Sequence, residues 1–458
     1  MKRLATGVLL VVAMAGVFLY TGITRDSEYR RLIAAGDEAL EQDQMFLAIE
    51  AFSGAIALKS DAMLAYLKRG ETYSRRGDLA AAHRDLSRAN ALAPGATRPL
   101  ENLGDVSRAL GRYEEAAGHY AAYVALDDRS PHVLYKLALA HHRAGRTTRS
   151  IPLLRQVLEL APRMPEAYSL LGLALRDQDR LDDAADALAR AVALSPGFIT
   201  AREALSGVFA DVGRLDAEVE QLEALAALEP ERPEREVALG LAYARTGRTD
   251  LAVLTLGRAA DEHPEQPLIY TALGRVWLDI AATDDDRVAL SKSLGALQSI
   301  PRAAASSEAL TLLARALLLD GDFEEGVAAL ELAIERFPVD PSAFVELADL
   351  VEHAGDTARA RALLVAHDAL TAYVPAAERI PHLTRIADLS LALDDPADAI
   401  GRLETARTLG EPSAPLLVRL ATVAWRSGDR ETAQTVIADG LTRYPSHGTL
   451  LDLRQRFE

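Results

Sequence analysis

Apolar and small residues recur along this chain in two short helical stripes, and the pair of stripes repeats every 34 residues. In the segment 63–96, Tyr66, Gly70 and Tyr73 fall on one face of a first helix. Ala82, Leu86 and Ala89, spaced i, i+4 and i+7, fall on one face of a second. Gly77-Asp78 makes the turn between them, and Pro94 stops the second helix. The small residue at the eighth place returns as Gly36, Gly70, Gly104, Ala138, Gly172, Ser206, Gly240 and Gly274. A second ladder, Pro94, Pro162, Pro196, Pro230 and Pro264, keeps the same beat. No sustained alternating Val/Ile/Thr run is present beyond the first 25 residues, so the chain reads as all-α.

The pattern divides the chain. Residues 29–266 hold seven contiguous units, and 267–306 an irregular eighth in which Asp284-Asp285-Asp286-Arg287 enlarges the turn. Phase resumes at 307, and 307–447 holds four further units with a five-residue slip at Pro375. Residues 448–458 supply a capping helix, with Leu450, Leu451, Leu453 and Phe457 turned inward, because the last repeat of an array exposes a face that interior repeats bury.

The quoted residues resemble the tetratricopeptide repeat, with its aromatic or apolar position four, small position eight, later Ala and closing Pro. The resemblance covers 29–447 and implies a right-handed superhelical solenoid of about twelve helix pairs. It also implies a protein-interaction scaffold without enzymatic activity, its first helices lining a concave groove. The family's ligand-facing positions map onto Lys68, Arg75, Arg98, Asn102 and Arg108. Further along they map onto His132, Lys136, His142, Arg143 and Arg176. This basic stripe is expected to meet a protein or peptide partner with an acidic segment. Positions twelve and thirteen also lie in the last helical turn, where Arg and His meet the negative end of the helix dipole whatever the function. Glu71, Glu101 and Asp105 share the groove and partly offset its charge. The family's carboxylate clamp is incomplete, since Leu67 and Glu71 stand where Lys and Asn are required.

Lys2 and Arg3 precede an uncharged stretch, 4–23, whose twenty residues would reach about 30 Å as a helix. Residues 1–28 are therefore expected to form a membrane anchor and short linker, with the repeats outside a bacterial inner membrane. Architecture of that kind resembles components of envelope assembly, secretion and polysaccharide export. A signal cleaved after Ala13-Met14-Ala15, releasing a soluble periplasmic chaperone, is one alternative, and the regulatory arm of an enzyme complex is another.

Composition narrows the chemistry. The net charge of −17 opposes nucleic-acid binding, which needs a basic footprint. The absence of cysteine removes disulfides, thiolate metal sites and cysteine nucleophiles. His141 and His142 are adjacent and point to different sides of a helix, and no other residues read as a metal or catalytic site, so no metal or cofactor is expected in this chain. Glu114-Glu115 and Asp182-Asp183 open second helices, where they complement the positive helix end.

Overall fold

The computed structural model describes residues 2–284 and 286–457, with side chains described from residue 22 onward and not at Asp284. Among the described residues there are 25 helices and no strand. They divide into two compact units, 1–228 and 229–458.

The first unit is a stack of helix pairs. It opens with α1 (Lys2–Glu41) and α2 (Met45–Leu58), then α3 (Met63–Arg76) and α4 (Leu79–Leu92). Next come α5 (Thr97–Ala109) with α6 (Tyr113–Val124), and α7 (Pro131–Arg143) with α8 (Thr147–Leu160). The unit ends with α9 (Pro165–Arg176) and α10 (Leu181–Leu194), then α11 (Ile199–Asp211) and α12 (Leu215–Leu228).

The second unit begins with α13 (Pro233–Arg245) and α14 (Thr249–Glu262), α15 (Pro267–Asp284) and α16 (Arg287–Gln298). It continues through α17 (Ser307–Asp320) and α18 (Phe323–Ala333), α19 (Ser342–His353) and α20 (Thr357–Leu370). The last pairs are α21 (Ala376–Ala392) with α22 (Pro396–Leu409), and α23 (Ala414–Ser427) with α24 (Arg430–Arg443). A single helix, α25 (Gly448–Phe457), closes it.

Each pair closes on a large side chain sixteen residues after the small one. Phe52 packs against Gly36, Leu86 against Gly70, Tyr120 against Gly104, and Leu188 against Gly172. A Cβ on Gly70 would lie 2.9 Å from Leu86 Cγ, and on Gly172 2.5 Å from Leu188 Cγ, so the helices approach too closely for any side chain there. The turn after each first helix is equally regular. Gly77, Gly111 and Gly145 take φ of 87°, 73° and 72°, and Asp179 takes 58° at the same place in its repeat. This left-handed residue ends the helix, and glycine adopts it without steric cost.

The eighth pair departs from that register. Gly274 meets Leu297 rather than a residue sixteen further on. The extra length lies in the helices: α15 runs ten residues past Gly274 to Asp284, and Leu297 is the eleventh residue of α16. In the preceding pair α13 runs five residues past Gly240, and Leu256 is the eighth residue of α14. Asp286 caps α16 by accepting from the Val288 and Ala289 amides at 2.8 and 3.3 Å. Asp285 lies outside the described residues.

The expected membrane placement is corrected. Among the described residues no helix is long and apolar enough to cross a membrane. The side chains of residues 4–21, on which most of that expectation rests, lie outside the described residues. The expected linker after them is part of a helix, since α1 continues unbroken through Arg25, Asp26, Glu28, Arg30 and Arg31 to Glu41. Its later half is the first helix of the first pair: Gly36 packs on Phe52, and Asp26 pairs with Lys59 at 2.5 Å. A single-pass topology, a membrane contact through 4–23 and the envelope role drawn from them therefore lose their support.

Candidate functional site

First helices of successive pairs touch one another, α3 with α5, α7 with α9, and α9 with α11. All ten residues of the expected basic stripe lie on these helices. Because the repeat is 34 residues, an acid at position nine of one first helix stands beside position six of the next. Lys68 Nζ donates to Asp37 Oδ1 at 2.7 Å, Asn102 Nδ2 to Glu71 Oε1 at 2.7 Å, and Lys136 Nζ to Asp105 Oδ2 at 2.7 Å. Arg98 forks onto the same Glu71 at 2.7 and 2.9 Å, and Lys136 also reaches Glu101 at 2.8 Å. His132 Nε2 stands 4.0 Å from Glu101, and His142 Nδ1 faces Asp177 at 3.5 Å without a hydrogen bond.

The stripe therefore splits in two. Its middle, Lys68, Arg98, Asn102 and Lys136, is engaged between repeats and adds little positive potential for a ligand. Such partly exposed pairs are worth roughly 0–1 kcal/mol each. Its edge, Arg75, Arg108, Arg143 and Arg176, is exposed. Among the described residues these four arginines make no ion pair. Arg108 leans on the Tyr120 hydroxyl, which donates to Asp105 at 2.7 Å. Burial, reinforced by that carboxylate, pushes the Tyr120 phenol well above its usual range.

The second unit holds clefts that the sequence did not single out. One of about 420 Å³ is lined by Ala244 and Arg245 of α13, Thr249 of α14, and Arg275, Asp279 and Thr283 of α15. Another of about 450 Å³ lies between α15 and α17, around Arg275, Ala282, Leu312 and Arg315. Burial raises the Asp279 carboxyl above its ordinary range, while Arg275 and Arg315 oppose that shift. Arg315 donates to Glu346 at 2.7 Å and to Ser342 Oγ at 3.2 Å, and Arg275 pairs with Glu308. The signal available in the sequence was small residues, Ala244 and Ala282, among arginines on first helices, which leaves room instead of filling it.

A model of the tetratricopeptide repeat matches residues 67–131, 135–197 and 311–375, and a second model of the same repeat matches 414–439. Among solved structures, the chain is similar to yeast Tom70 at 15% identity, over 90% of this chain and 99% of that one, with a TM-score of 0.46. It is also similar to YrrB, described as a TPR protein with an unusual peptide-binding site, at 21% identity. That likeness covers 40% of this chain and 95% of YrrB, with a TM-score of 0.37. A tetratricopeptide repeat protein from Parabacteroides merdae matches at 15% identity over 55% of this chain and 99% of its own, with a TM-score of 0.41. The tetratricopeptide fold is typically a protein-interaction scaffold rather than a catalytic one. Segments that match the tetratricopeptide repeat lie in both compact units, and they fall on helix pairs.

Proposed function

We propose that this chain is a non-enzymatic scaffold that takes an acidic peptide segment along the ends of α3, α5, α7 and α9. The observation that carries the reading is the row of exposed arginines, Arg75, Arg108, Arg143 and Arg176, beside a band whose own cations are already paired. Each sits in the last turn of its helix, so the arginine row also meets the negative dipole ends; a ligand carboxylate competes with that weak local attraction. A guanidinium presents a planar pair of donors that matches a carboxylate, which suits repeated capture of Asp and Glu side chains. The paired middle of the stripe spaces the helices rather than binding the ligand.

The test uses fluorescence anisotropy with a labelled oligoglutamate peptide. Replacing Arg108, Arg143 and Arg176 together by Glu is expected to weaken binding by more than about tenfold, a loss above about 1.4 kcal/mol. Added salt is expected to weaken the wild-type complex in parallel. Replacing Arg149, Arg155 and Arg190 together by Glu, on the second helices α8 and α10, makes the same change in net charge without touching the row and is expected to leave binding nearly intact. Equal losses in both variants would reduce the effect to bulk charge and sink the proposal.

A second reading is favoured by the clefts beside α15, whose Leu312, Ala282 and Ala244 offer apolar floor between arginines. A partner seated there would cross-link to residues near Arg275 and would be insensitive to the first-unit arginine variant.

A further inference from the structure

Three side chains that play no part in the groove converge on the second helices of the first unit. His83 lies on α4, while Glu115 and His119, four residues apart, share one face of α6. His83 Nε2 is 2.7 Å from Glu115 Oε1, and His119 Nε2 is 3.8 Å from the same oxygen. One ligand atom from each of the three lies within 4.8 Å of the others, and the imidazole centroids are 6.4 Å apart. His119 Nε2 is shut off from water and has no hydrogen-bond partner. A buried polar nitrogen left open in this way asks for an explanation.

We propose that His83, Glu115 and His119 bind a divalent transition metal ion of the zinc class, joining the second helices of two neighbouring repeats. Two imidazole nitrogens and a carboxylate are the donor set of an open zinc site, with water completing the coordination. Around a tetrahedral ion with bonds of about 2.0–2.2 Å, ligand atoms sit about 3.3 Å apart, between the 2.7 and 3.8 Å found here. Small side-chain rotations suffice to close the site. Nitrogen-rich donors favour zinc, nickel or copper over magnesium or calcium.

Arg112 stands 3.6 Å from the outer Glu115 oxygen and leaves the inner one facing the histidines. Binding would send the His83 Nε2 proton to Nδ1 or to solvent, exchange its hydrogen bond with Glu115 for three metal bonds, and satisfy the orphaned His119 nitrogen.

Untagged full-length chain, stripped with chelator, is titrated calorimetrically with zinc chloride. One equivalent is expected to bind, and the thermal midpoint to rise with free zinc as linkage requires. His119→Ala and His83→Ala are each expected to lose at least the roughly 10–100-fold in affinity that even an outer partner costs a zinc site. His141→Ala, on α7, is expected to bind as wild type. Cobalt-loaded wild type is expected to show visible absorption of a four- or five-coordinate ion, and X-ray absorption of the zinc form two imidazoles. Those two measurements stand even if a variant fails to fold. No stoichiometric uptake by wild type, an unchanged affinity in a folded His119→Ala, or a bound ion without imidazole scattering would each overturn the proposal.

Discussion

At the residue scale, the repeat rests on positions where side-chain size has opposite consequences on the two helices of one pair. Gly104 lies under the Tyr120 ring, so a methyl group there must displace a buried aromatic. Gly118, inside α6, has open space around the place a Cβ would occupy. Gly104→Ala is expected to destabilise by about 1–3 kcal/mol through overpacking, and Gly118→Ala to stabilise by about 0.5–1 kcal/mol through helix propensity. Urea denaturation followed by circular dichroism separates the two, and the same sign for both would contradict the packing described. The turn residues allow a parallel comparison. Gly145 holds φ at 72°, and Gly145→Ala is expected to cost about 1 kcal/mol or more, because alanine enters the left-handed region only with strain.

At the element scale, the first helices are tied by a rung from position nine to position six. Lys136, with only 16% of its side chain exposed, serves both Glu101 and Asp105. Lys136→Ala would leave these two acids facing each other, and a loss of about 1 kcal/mol is expected, shrinking as salt is raised. A loss that grows with salt would contradict an electrostatic origin. Much of this was legible in the sequence, since Lys136, Glu101 and Asp105 fall in the same groove once the 34-residue frame is laid down. The frame did not disclose which cations are engaged, because that depends on side-chain reach across helices 31 to 35 residues apart. The His83, Glu115 and His119 cluster escaped for a related reason. His83 precedes Glu115 by 32 residues, so the three meet only when second helices of different repeats are placed side by side. The α15 clefts were equally hidden, because a groove forms where side chains are small, and small residues at helix contacts ordinarily read as packing.

At the scale of the whole molecule, acid acts through buried and half-buried imidazoles distributed over both units. Burial lowers the pKa of His119, His141, His142 and His367 below the usual 6.5. The unfolded chain then binds more protons than the folded one in this window. Their contribution is fully present above about pH 6.5 and is lost as pH falls through the depressed folded values. The thermal midpoint is expected to drop between about pH 7.5 and about pH 5.5, and a flat or rising midpoint would contradict it. The C-terminal end is held by α25, where Leu450, Leu453 and Phe457 are buried and Phe457 stacks on Trp425 with ring centroids 4.1 Å apart. Removing 448–458 is expected to speed amide exchange in α23 and α24 before any other pair, since a repeat is stabilised chiefly by its neighbour.

The lengthened hairpin of α15 and α16 has a further use. Its closing contact moved from sixteen residues to twenty-three, with five more residues of α15 beyond Gly274 and three more of α16 before Leu297. The added helical residues come to about two turns over both arms, and Leu297 still finds Gly274. The hairpin is thus longer than its neighbours while keeping the same kind of closing contact. Segments grafted into other repeats should follow the same arithmetic: about seven residues shared between two arms slide the tip outward by about 5 Å, whereas about three or four rotate a polar face into the seam.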